Sequence, residues 1–167
     1  MPAEKSYLFL DEHTPTRGAF PVIDAHNHLW GAWASLHDVA AVMDETGVVS
    51  YCDLTANVSL QWGDGGYVVG QGSFDDFLDG AAAEHPGRFY SFTTATFTAP
   101  ADQPLFTDWE QFVDETLATF EEHVQKGARG LKLLKEFGLR HTDACGNLIH
   151  LDAPFLDPVW DKAAALG

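Results

Sequence analysis

Short apolar runs rich in β-branched and aromatic residues alternate with helix-patterned segments along most of the chain, and this alternation constrains the fold more than any other feature. The run 20–29 reads as a first strand. A helix is expected over 36–46, with Ser35 as N-cap and Gly47 at the C′ position. The apolar run VVSYCDLTA at 48–56 predicts a second strand, and a loop containing WGDGG at 62–66 follows it. The segment SFDDFLDGAAAEH begins on a capping serine, Ser73, and stops at Pro86, so it reads as a second helix. FYSFTTATF at 89–97 predicts a third strand. The third helix is the clearest element. Thr107-Asp108-Trp109-Glu110 fits a capping box, Trp109, Val113, Leu117, Phe120 and Val124 recur at helical spacing, and Gly127 closes the segment. GLKLLK at 130–135 predicts a fourth strand, and Asp157-Pro158 opens a last helix that runs to Gly167.

Strands joined in this way by helical crossovers are expected to lie parallel in an α/β fold. Two architectures accommodate the pattern: a four-stranded doubly wound sheet, or the first half of a (β/α)8 barrel, which typically needs about 250 residues.

At the end of the first predicted strand stands PVIDAHNHLWG, with His26 and His28 separated by one residue. In a β-strand, residues two apart project from one face at ~6.6 Å spacing, so two such imidazoles can share one metal ion. The chain has 8 histidines, so the spacing carries little weight by itself. Its position carries more, because both architectures place their chemistry at the C-terminal ends of the strands.

Composition narrows the range of partners. The 167 residues carry 25 acidic against 9 basic side chains, a net charge of −16, which disfavours a nucleic-acid or anionic-membrane surface. The only two cysteines, Cys52 and Cys145, form no CxxC, which suits a reducing compartment. No long apolar run follows a basic N-terminal segment, and no stretch approaches 18 continuous apolar residues, so a cytoplasmic location is expected.

The run VIDAHNHLWG resembles the metal-binding opening of the amidohydrolase superfamily. The likeness is to its amidohydrolase-2 branch, which includes metal-dependent hydrolases and relatives of aminocarboxymuconate-semialdehyde decarboxylase. A second stretch, KGARGLKLLKEFGLR at 126–140 followed by GNLIHLDAPFLDPVWDKAAALG, resembles the fourth strand, its loop and the fourth helix of that branch. The resemblance implies the first four β/α units of a (β/α)8 TIM-type barrel, truncated before strand five. An N-terminal extension at 1–19 would precede an incomplete barrel domain at 20–167.

The resemblance also implies roles for particular residues. His26 and His28 match the two first-strand metal ligands, for a divalent ion of the Zn²⁺ type, and Asp24 matches an acidic group that supports them. Lys132 and Lys135 fall on opposite faces of the fourth strand; Lys135 reads as an electrostatic or substrate-facing group, or more plainly as a solvated lysine. Trp30 and Trp33, beside the pair, are candidates to line a substrate pocket or to pack in the core. His141 and His150 lie in the loop after the fourth strand, where they would meet substrate or solvent, and WGDGG is a candidate lid. For His13, His37, His85 and His123 only a structural role is expected.

The family's other ligands, histidines after the fifth and sixth strands and an aspartate after the eighth, have no match among these residues. The implied activity is hydrolysis of a small-molecule ester, amide, lactone or carboxylated substrate, with metal-dependent decarboxylation by a lyase of the same family as the alternative. The chain alone is expected to be inactive, and to need a C-terminal half or self-association. The contrasting reading is a non-enzymatic α/β binding domain.

Overall fold

β1 (Val22–Asn27) pairs in parallel with β2 (Val48–Asp53), and the register Asp24↔Tyr51 and Asn27↔Asp53 carries the His26 segment to the C-terminal end of the sheet. This is a computed structural model describing residues 15–29, 36–63, 66–100 and 103–167. β2 in turn pairs in parallel with β5 (Phe89–Ser91), giving the order β1-β2-β5. Between β2 and β5 the chain inserts an antiparallel hairpin, β3 (Val58–Gly63) and β4 (Gly66–Gln71), with Leu60 opposite Val69 and Gly63 opposite Gly66.

The expected run of four consecutive β/α units, and with it the first half of a TIM-type barrel, is therefore not what forms. Two segments account for the difference. Residues 58–71 alternate on either side of a Gly-rich reversal, and such a run pairs with itself more readily than it crosses to a new strand. Residues 130–135 make one parallel bridge, Thr93↔Leu131, and then turn away. Leu133 packs against the core and Leu134 beside it is buried. The third predicted strand is likewise short. After Ser91 the chain keeps to the sheet through Thr93 and then turns at Ala95, which holds a φ of 47°.

Helices cover one face of the parallel sheet. α1 (Leu36–Thr46) packs Ala40 and Met43 against Tyr51 and Phe89, with Phe77 closing the cluster. α2 (Phe74–Phe77) is capped by Ser73, whose hydroxyl accepts from the Asp76 N–H, and passes into a π-turn at Leu78–Ala82 instead of continuing as one regular helix. α3 (Trp109–Lys126) and α4 (Asp157–Leu166) enclose the second cluster, Phe97, Phe112, Val113, Phe137, Ile149, Leu156 and Val159. A 3-10 turn at Pro154–Leu156 runs straight into α4, so Asp157 is its first residue and not its cap. On the sheet, Tyr51, Asp53, Phe89 and Ser91 are buried, Tyr51 and Phe89 against the helices, while Cys52 is half-buried and Tyr90 is exposed on the other face. No helix among the described residues is long and apolar enough to cross a membrane.

Candidate metal centre

His26 lies inside β1 and is exposed; His28 follows one residue past the strand and is half-buried. Their ring centroids are 5.6 Å apart with the planes at 80°. The backbone that carries them is held by its neighbours. Asp24 accepts from the His26 N–H through Oδ1 (3.3 Å) and from Asn27 Nδ2 through Oδ2 (2.8 Å), and Asn27 Oδ1 accepts from the His28 N–H (2.8 Å). Asp24 thus steadies the strand end from which the imidazoles project.

Behind His28 runs a second chain of hydrogen bonds that sequence reasoning did not anticipate. Thr55 Oγ1 donates to Asp53 Oδ1 at 3.1 Å and lies 3.2 Å from His28 Nδ1. Because the threonine proton is committed to the carboxylate, the His28 ring donates Nδ1–H to the hydroxyl, and Nε2 carries the lone pair. Asp53 is 2% exposed and also accepts from the N–H groups of Leu29 (3.2 Å) and Thr55 (3.0 Å). Burial pushes its carboxyl above the ordinary aspartate value, and these three donors oppose the rise. The signal in the sequence was an acidic residue closing the apolar run VVSYC.

Burial holds the His28 pKa below the ordinary histidine value, with the positive charges of Lys132 and then His26 acting in the same direction. Lys132 is half-buried, and its peptide N–H donates to the Thr93 carbonyl at 2.8 Å. Lys135, the lysine singled out from the sequence, is exposed in the turn that follows. His141 is 3% exposed; its backbone bonds Glu136 and Ile149, and its ring leans on Phe137 at 6.4 Å. A solvated surface group does not describe it, since it is built into the fold. His150 is exposed. Trp30 and Trp33 lie outside the described residues, and of the proposed lid the tip at 64–65 does too, while its flanks belong to the hairpin.

With metal–nitrogen bonds of roughly 2.0–2.1 Å and a tetrahedral angle, a shared ion places two imidazole centroids about 5 Å apart, close to the separation found. No group of three or more metal-ligating side chains forms among the described residues. A cavity of about 440 Å³ lies at the opposite end of the sheet, between Arg17, Phe20, Pro21, Val48 and Arg88, and has no part in this site. The chain matches no protein-family model, no curated protein and no solved structure.

Proposed function

We propose that His26 and His28 hold a divalent ion of the Zn²⁺ type, and that the chain carries this part of a metal-dependent hydrolase site for a small-molecule ester, amide, lactone or carboxylated substrate. The observation that carries the reading is the Asp53–Thr55–His28 chain, because metal-binding histidines are oriented by a hydrogen bond from the other ring nitrogen to a group fixed in the fold. A bound ion of this type supplies Lewis acidity toward a water or a carbonyl oxygen. The protein's part is to present Nε2 of His28 in one tautomer, to set His26 beside it, and to keep the supporting carboxylate out of water. Catalytic zinc sites use three protein ligands and an open position, so a further donor has to come from beyond the described residues.

Titration of the purified chain with Co²⁺ or Zn²⁺, followed calorimetrically and by the Co²⁺ absorption spectrum, tests this. His26→Ala and His28→Ala are expected to abolish binding. Thr55→Val is expected to weaken it by about ten- to a hundredfold, with Thr55→Ser restoring it. Metal binding by the double histidine variant at the strength of the unmodified chain would refute the assignment. Turnover of an activated ester by the isolated chain is expected to be negligible, and metal-dependent turnover by purified monomer would show that two ligands suffice.

A further inference from the structure

The chain is poor in cations, and the ones near carboxylates are neutralised: Arg88 pairs with Asp44, Lys126 with Asp75 and Glu122, and Lys162 with Glu121. Lys132, half-buried like Arg88 and Lys162, differs in making no ion pair among the described residues. In a protein with 25 acidic side chains, a partly buried cation with no carboxylate paired to it among the described residues stands out.

Its location gives that charge a use. Leu131 faces Thr93 across the one bridge of this segment and packs against the core, so the next residue turns to the other face of the sheet. Cys52 and Tyr90, paired in register, belong to that same less covered face. The hydrogen bond from the Lys132 peptide to Thr93 sets its height near the C-terminal ends of the strands, where the histidine pair stands. An ammonium and a prospective metal ligand thus stand at one end of the sheet with no carboxylate of the described residues paired to the ammonium.

We propose that Lys132 is a specificity-determining residue that anchors a carboxylate of the substrate, so that the molecule acted on is an organic acid whose reacting group reaches the histidine pair. This rests on the metal-site reading above. Lysine suits the role as a compact point charge, and a charge-assisted hydrogen bond to a carboxylate discriminates against an uncharged analogue.

The test uses the metal-free, ¹⁵N-labelled chain titrated with glutarate, with glutaramide as the uncharged control at matched ionic strength. Saturable shifts are expected at Leu131, Leu133 and His28 with glutarate and none with glutaramide. Lys132→Met is expected to weaken glutarate binding by about ten- to a hundredfold, Lys132→Arg to retain much of it, and Lys135→Met to leave it unchanged. No binding by the unmodified chain, equal shifts with glutaramide, or undiminished binding by Lys132→Met overturns the proposal. Co²⁺ titration of the same samples separates it from the metal reading. Lys132-dependent glutarate binding without Co²⁺ binding retains the anchor and removes the ion; Co²⁺ binding without glutarate binding does the reverse.

Discussion

Several side chains that titrate near neutrality are built into this fold, and each makes stability depend on pH in a calculable direction. His123 stacks on Phe74 at 4.4 Å and bonds Thr93 Oγ1 through Nδ1 at 2.6 Å, while His141 is enclosed beside Phe137. Burial, the largest cause for both, holds each below the ordinary value of 6.5. A base whose folded pKa is depressed takes up its proton more readily when unfolded, so the stabilisation is full above that ordinary value and is lost as pH falls below it toward the depressed one. The urea midpoint is therefore expected to drop between about pH 7.5 and about pH 5.5, a window in which histidines are the side chains that ordinarily titrate. His123→Gln is expected to flatten the slope, and an unchanged slope would mean that its burial has no energetic weight. Asp53, raised by burial, acts in the opposite sense, since its protonation favours the folded state. At this scale the sequence disclosed the pair His26 and His28 because strand position and spacing are local properties. It could not disclose Thr55 behind His28, since that contact spans 27 residues and depends on how β2 ends.

Among the elements, α3 shows how far local chemistry reaches. The capping box pointed to Thr107, yet Asp108 is the N-cap, its carboxylate accepting from the N–H groups of Glu110 (3.0 Å) and Gln111 (3.2 Å). Asp108→Ala is expected to cost about 1 kcal/mol in chemical denaturation and Thr107→Ala less than about 0.5 kcal/mol. The reverse order would restore Thr107 as the cap. Shifting the start by one residue changes no helix phase, but Trp109, counted on the apolar stripe, is 48% exposed, and Phe112 and Thr116 are buried in its stead. Helix existence was legible because caps, spacing and Gly127, at φ 119°, are written within a few residues of one another. The hairpin was legible in principle, as alternating apolar residues around a Gly-rich turn, but the expectation of helical crossovers hid it. What no local pattern carries is the buried set that fastens the C-terminal ends of the sheet. There Asn57 accepts from Thr94 N–H (2.7 Å) and donates to the Ala95 carbonyl (3.0 Å), which also receives Gln71 Nε2 (3.1 Å). The hairpin thereby holds Ala95 in its left-handed conformation from two sides.

At the scale of the whole molecule, burial among the described residues is one-sided, and that bears on how copies of the chain meet. Parallel sheets are normally covered on both faces, yet here helices cover one, and β1 has a strand neighbour on only one edge among the described residues. Phe20 (81% exposed), Ile23 (64%) and Val22 (40%) line that strand and its approach. An exposed edge with apolar side chains offers unpaired N–H and C=O groups to a second strand, while the net charge of −16 repels another copy at long range. The two effects differ in reach. The repulsion is screened within about 8 Å at physiological ionic strength, whereas strand pairing acts at contact. Association of the chain is therefore expected to increase with protein concentration and with added salt, which sedimentation velocity measures directly. Ile23→Lys places a charge on the edge and is expected to return the chain to monomer. Because Ile23 is mostly exposed, its replacement should change stability by less than about 0.5 kcal/mol. Association that weakens with salt, or that survives Ile23→Lys unchanged, would assign the contact to charged surface elsewhere and leave β1 a tolerated edge.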